Sequence, residues 1–165
     1  MSIACIASVQ YAAANFGVYV QISEKYVKNG YCLHDNVKKS LLLFDTRPEE
    51  EYKVAHIAGS IRVDPDENGV KNSLQIIKER EKQLNSSLFV VSYCAVGYRS
   101  SQLAEKVIPF LNPETQWRNI EGSLFKWTRE GREMVNSRNL KTTRCHPFST
   151  FWGMIFLDKK HRSFE

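Results

Sequence analysis

The stretch Leu88-Phe89-Val90-Val91-Ser92-Tyr93-Cys94-Ala95-Val96-Gly97-Tyr98-Arg99-Ser100-Ser101 decides how this chain is read. Leu88 to Ser92 is a continuous apolar run, the pattern of a strand covered on both faces. Cys94 stands where that strand ends. A short loop with Gly97 follows, and a helix begins near Arg99 or Ser100. Leu103, Ala104, Val107 and Ile108 form its apolar stripe until Pro109 limits it. Backbone N–H groups of such a loop can converge on one point as an anion nest. The helix N-terminus adds partial positive charge, and Arg99 adds a full charge nearby. Gly97 allows a positive φ and keeps a side chain out of the nest. All these effects favour a thiolate over a thiol. An ordinary cysteine has a pKa of about 8.5, and such surroundings commonly lower it. A thiolate is the nucleophile in both sulfur and phosphoryl transfer. The same spacing also suits a buried structural cysteine beside a strand. On spacing alone both readings stand, because Cys-x4-Arg is a loose pattern.

Working outward, Leu41 to Phe44 is a second continuous apolar run, and Asp45-Thr46-Arg47-Pro48 turns out of it. Pro48 suits the first turn of a helix over Glu49 to Val54. Ile57 to Val63 is expected to be extended, Asp64 to Gly69 a polar loop, and Ser73 to Leu84 an amphipathic helix. Trp117 to Ile120 is a short strand, followed by a helix over Gly122 to Glu130. Nearer the N-terminus, Gly17 to Ile22 is β-prone and Ser23 caps a short helix through Asn29. Alternating strands and helices with apolar strands predict an α/β fold, a mostly parallel sheet with helices on both faces. Ligand sites in such sheets sit at the carboxyl ends of strands. Cys94 and Asp45-Thr46-Arg47 occupy two such ends.

The length of 165 residues is that of one domain with room for a proper core. The excess of 23 basic over 18 acidic residues, a net +5, is scattered through helical stretches with only a modest cluster near the C-terminus, which argues against nucleic-acid binding. Met1 to Val20 has no basic n-region, and its apolar run is broken by Gln10 and Asn15. It reads as neither a signal peptide nor a membrane span. The expectation is an intracellular, cytoplasmic protein. Cys5, Cys32, Cys94 and Cys145 form no CxxC pair, so no metal site and no disulfide framework is expected. Cys5, Cys32 and Cys145 are read as passive thiols; a resolving role toward Cys94 for Cys145, beside His146 in the tail, is the less favoured alternative. Residues 137–165 carry Phe148, Phe151, Trp152, Ile155 and Phe156, read as an aromatic tail that docks on the domain, since an exposed patch of that size is a liability.

From about Ile22 to Val135 the sequence resembles a single-domain rhodanese, the thiosulfate sulfurtransferase-like family. Three separated signatures carry the resemblance. Asp45-Thr46-Arg47 with Glu51-Tyr52 and His56-Ile57-Ala58-Gly59-Ser60 is similar to the family's first signature. Val90 to Ser100 is similar to its active-site strand, loop and helix start. Ile120-Glu121-Gly122-Ser123 with Trp127 and Gly131 is similar to its last. Ala55 and Ser123 stand where the family usually has glycine. Neither is expected to touch the nucleophile. The resemblance implies a rhodanese-like three-layer sandwich, a five-stranded parallel sheet with helices on both faces and Cys94 at the end of a central strand. It implies a domain over residues 20–136, with an N-terminal extension at 1–19 and the tail at 137–165.

The resemblance also implies a mechanism. Cys94 takes sulfane sulfur from thiosulfate or a persulfide, carries it as a persulfide, and gives it to a thiophilic acceptor such as a cellular thiol or protein cysteine. No cofactor is implied, and the expected assembly is a monomer or weak dimer without nucleic-acid or membrane partners. Ala95, Val96, Gly97, Tyr98 and Arg99 are the expected substrate-binding loop, and Arg47 is placed at the crevice rim. Asp45, Glu51 and Ser100 are assigned structural support, and His56 turn packing. Phosphatases of this fold have one residue more between cysteine and arginine, a wider ring for a tetrahedral oxyanion. They also carry a histidine where Tyr93 stands. The alternatives are therefore a binding or regulatory module with little catalysis, and, less favoured, a phosphatase or arsenate reductase. Ala95, Val96 and Tyr98 offer thiosulfate no charge, so a high Michaelis constant for thiosulfate is expected.

Overall fold

The computed structural model describes residues 40–164. The strand and helix expected between Gly17 and Asn29, together with Cys5 and Cys32, lie outside the described residues. Two apolar runs become the paired strands at the heart of the sheet. These are β1 (Leu41–Asp45) and β3 (Phe89–Tyr93). Between them lie α1 (Glu49–Val54), the short strand β2 (Ile61–Arg62) and α2 (Glu67–Leu84). After β3 come α3 (Tyr98–Val107), β4 (Gln116–Asn119) and α4 (Ser123–Arg129). The sheet order is β2-β1-β3-β4, and every pairing in it is parallel. Four strands of the expected five are thus present among the described residues. Asp45 pairs with Tyr93, so the carboxyl ends of β1 and β3 lie side by side and bring the Asp45 turn against the Cys94 loop.

Successive side chains of a strand point to opposite faces. Leu42, Phe44 and Val90 join Ile77 of α2 and Leu103, Ala104 and Val107 of α3 in one apolar cluster. Leu43 and Tyr93 face a second cluster built on Leu124, Phe125 and Trp127 of α4. Helices therefore cover both faces. The second cluster also takes in Met134, Cys145 and Leu157, so the chain beyond α4 completes that face. This segment forms a two-stranded antiparallel ribbon, β5 (Met134–Val135) and β6 (Lys141–Thr142), and a short helix α5 (Thr150–Phe156).

The helix α2 begins six residues before the expected Ser73. Asp66 accepts the Gly69 N–H on its carboxylate at 2.7 Å, an N-cap that starts the helix inside the stretch read as a loop. Gly69 is needed there for space, because a Cβ would sit 1.6 Å from the Asp64 carbonyl oxygen. Helix propensity alone favours alanine at this site by about 1 kcal/mol. The contact reverses that sign. Gly69→Ala is expected to lose roughly 1–3 kcal/mol of stability in urea unfolding; an unchanged or higher midpoint would show that the turn relaxes freely.

Candidate active site

The site is framed by a chain of buried charge. Arg47, fully buried, donates from Nε and Nη2 to the Asp45 carboxylate at 2.9 and 2.6 Å. Its Nη2 also donates to the Ala55 carbonyl at 2.5 Å, and its Nη1 to the Glu51 carbonyl at 3.3 Å. Nη1 lies 4.0 Å from the Glu51 carboxylate. Glu51 in turn receives Arg99 bidentately, at 2.9 and 3.1 Å. Burial opposes the Arg47 charge, and the charge and hydrogen bonds of Asp45 more than offset it, so its pKa is raised. Placing Arg47 at the crevice rim is therefore corrected. Its guanidinium is enclosed and its N–H groups are committed to Asp45, Ala55 and Glu51, so it supports the turn rather than standing at a rim. Ala55 serves where glycine was expected because its φ of −162° is ordinary extended backbone.

Cys94 is 1% exposed at the end of β3. Gly97 donates its N–H to Cys94 Sγ at 3.0 Å. Gly97 stands at φ +105°, a conformation for which glycine is required, and caps the start of α3. The loop is fixed from outside the ring. Leu124 and Phe125, at the start of α4, donate their N–H groups to the carbonyls of Cys94 and Ala95, both at 3.0 Å. In a trans peptide the N–H points opposite to the carbonyl. The N–H groups of Ala95 and Val96 are thus turned away from α4. The Gly97 carbonyl accepts from Ser101 N (3.1 Å), Ser101 Oγ (2.8 Å) and Asn119 Nδ2 (3.2 Å). Ser100 Oγ lies 3.1 Å from the same carbonyl and donates to Asn119 Oδ1 at 2.8 Å. Val96 is half-buried, and Tyr98 stands 57% exposed at the rim.

Ser123 does touch Cys94, contrary to expectation. Its hydroxyl accepts the Cys94 N–H at 3.3 Å. It is fully buried and holds φ +50°, the left-handed conformation that suits the family's glycine. The substitution at a glycine position was visible in sequence; the contact with Cys94 was not. Asn119 and Ser101 carried no sequence signal for their roles around Gly97.

Arg99 is partly buried, which opposes its charge. The hydrogen bond and charge of Glu51 raise its pKa nonetheless, with a further contribution from Cys94. Tyr93 is fully buried, and burial pushes its phenol well above the usual range. Its hydroxyl accepts the Ile57 N–H at 3.0 Å and lies 3.0 Å from Ser60 Oγ. His56 stacks on Tyr52 at 3.8 Å, and its Nδ1 lies 3.0 Å from the Tyr52 carbonyl, as turn packing requires. Cys145 is a free, buried thiol. Burial pushes its pKa up to about 11, which makes it a poor resolving thiolate. Among the described residues no cluster of His, Cys, Asp and Glu could hold a metal ion, and no helix is long and apolar enough to cross a membrane.

A cysteine in an amide-lined loop at the carboxyl end of a parallel strand defines a class of α/β domain, and comparison places the chain within it. The Rhodanese-like domain model matches residues 31–130, more than half of the sequence, and the chain belongs to that family. A Bacillus halodurans protein superposes with a TM-score of 0.54 at 16% identity, over 90% of this chain and 97% of its own. A yeast protein tyrosine phosphatase of the rhodanese family gives 0.54 at 15% identity, over 67% and 83%. A Pseudomonas aeruginosa thiosulfate sulfurtransferase gives 0.52 at 16% identity, over 90% of this chain and 25% of its own. At these identities the likeness is one of fold. A search of curated protein sequences finds no relative of the chain.

Two outcomes are expected. Arg47→Ala leaves Asp45 buried without its partner and is expected to cost about 3–5 kcal/mol, measured by denaturant unfolding. A loss below about 1 kcal/mol would show that water reaches the site. Burial lowers the His56 pKa, so the unfolded chain, at about 6.5, binds the proton first. Stability should therefore fall as pH drops below about 6.5. His56→Gln should make the fall in melting temperature between pH 7.5 and 5.5 shallower, with the part owed to His146, whose pKa burial also lowers, remaining; an equally steep variant profile would remove His56 from the account.

Proposed function

We propose that the chain is a persulfide-forming sulfurtransferase. Cys94 thiolate attacks the sulfane sulfur of a donor, the bond from that sulfur to the donor breaks, and the donor leaves with the electron pair. With thiosulfate the leaving group is sulfite. The terminal sulfur remains on Cys94 as a persulfide anion. Cyanide or a thiolate acceptor then takes that sulfur and returns the thiolate. No proton has to be removed from the nucleophile by a base, so His56 is left to its packing role.

The observation that carries this reading is the loop. Only Ala95, Val96, Gly97 and Tyr98 separate Cys94 from Arg99, and the Gly97 N–H already reaches Cys94 Sγ at 3.0 Å. A ring that closes on one sulfur atom stabilises a thiolate and a persulfide alike. The fold does not choose between chemistries, since a sulfurtransferase and a phosphatase both resemble it. The loop favours sulfur, and an intact nucleophile in an ordered loop favours catalysis over a binding role alone. A cellular thiol or protein cysteine is the acceptor this reading calls for, in a monomer or weak dimer acting in the cytoplasm.

Intact mass after incubation with thiosulfate or glutathione persulfide tests the reading. The expected gain is one sulfur, roughly 32 Da, absent in Cys94→Ser. Thiosulfate:cyanide activity is expected with a high Michaelis constant, and no turnover of an aryl phosphate. Phosphate release without sulfur uptake would reverse the assignment.

A further inference from the structure

The C-terminal segment reaches the mouth of the Cys94 loop. The Phe148 ring lies over the Arg99 guanidinium, 5.4 Å from Cζ to the ring centroid. Arg99 is the residue that follows the Cys94 loop, and Cys94 contributes to the raised Arg99 pKa. Phe148 stands at φ +65°, a left-handed conformation that a bulky side chain keeps only when its surroundings hold it. Its N–H donates to His146 Nδ1 at 3.1 Å, and its ring meets Trp152 edge-on at 6.5 Å. Trp152 stacks on Phe156 at 5.3 Å, and both join Val96 of the loop on the edge of one apolar cluster. Despite these restraints Phe148 stays 51% exposed. A residue needed only as a core anchor would be buried. This ring is held in a strained position with part of its surface open, over the arginine that follows the Cys94 loop.

Charge at the mouth points the same way. Glu51 takes the Arg99 guanidinium bidentately, and the ring covers one face of it. Ala95, Val96 and Tyr98 bring no cation. A dianionic donor therefore meets a charge already balanced, beside an aromatic surface.

We propose that Phe148 is a specificity-determining residue, an aromatic wall of the donor site that selects a singly charged aromatic sulfane-sulfur donor over thiosulfate. The proposal rests on the sulfurtransferase reading above. For an arylthiosulfonate, Cys94 thiolate bonds to the sulfane sulfur, the bond between that sulfur and the sulfonyl sulfur breaks, and arylsulfinate leaves with the electron pair. One anionic persulfide and one anionic sulfinate replace one thiolate and one thiosulfonate, so charge and electrons balance.

Thiosulfate, methanethiosulfonate and benzenethiosulfonate separate ring from charge, with cyanide as acceptor and the full chain as enzyme. Phe148→Gly removes the ring and relaxes the positive φ, so its melting temperature should not fall. Phe148→Tyr keeps the ring. The native chain should prefer benzenethiosulfonate to methanethiosulfonate about tenfold in kcat/KM, beyond their uncatalysed ratio with cyanide and mainly through KM. Phe148→Gly should cut that preference about fivefold, and Phe148→Tyr should restore it. An unchanged preference in a folded Phe148→Gly, or a KM for thiosulfate as low as for benzenethiosulfonate, overturns the aromatic wall and leaves sulfur transfer standing. No mass gain at Cys94 from any of the three donors overturns the sulfurtransferase reading, and this inference with it.

Discussion

The site depends on the alternating chain of charge Asp45, Arg47, Glu51 and Arg99. Asp45, Arg47 and Glu51 are buried, and Arg99 joins them at the edge. Taking such groups from water costs several kcal/mol each, and only close pairing with good hydrogen bonds offsets it. Each charge here has an opposite neighbour, and among the described residues no buried side-chain nitrogen or oxygen lacks a hydrogen-bond partner. The chain links three pieces of backbone, the end of β1, the helix α1 and the start of α3. The position of Arg99 at the end of the Cys94 loop is therefore set by Asp45, three links away.

The loop itself is held by bonds that run outward. Its carbonyls at 94 and 95 are tied to α4, and its carbonyl at 97 is tied to α3 and β4. Widening the ring to admit a tetrahedral oxyanion would break several of these bonds at once, in an interior where unmade hydrogen bonds are costly. Ring size is thus a property of the surrounding frame as well as of the residue count between Cys94 and Arg99. Ser123 belongs to that frame. Its hydroxyl gives the Cys94 N–H a partner that a glycine there would not supply.

The strands β1 and β3 were legible because a strand covered on both faces shows as an unbroken apolar run. The loop that holds Cys94 was legible because glycine and arginine follow such a run directly. The start of α2 was not, since Asn68 and Gly69 carry the composition of a turn and only the Asp66 cap overrides it. The burial of Arg47 was not legible either. A charged residue after a strand reads as a rim residue, and its pairing with Asp45, Ala55 and Glu51 exists only once α1 has folded back. The two-residue strands β5 and β6 are too short to show a period. The reach of Phe148 to Arg99 depends on a positive φ, which a phenylalanine in a sequence does not announce.

The net charge of +5 and the neutral mouth do opposite things. Scattered surface cations draw anions in general, but their field fades over about 8–10 Å at physiological salt. At the Cys94 loop the local balance decides, and there the Arg99 charge is paired with Glu51. A site that needed Arg99 to grip a dianion would leave that guanidinium free. This one locks it to a buried carboxylate and lays an aromatic ring on it. On the sulfurtransferase reading proposed above, long-range attraction would raise the local concentration of many anionic sulfur compounds, and selection among them would fall to the surroundings of Arg99, where the C-terminal segment meets the Cys94 loop.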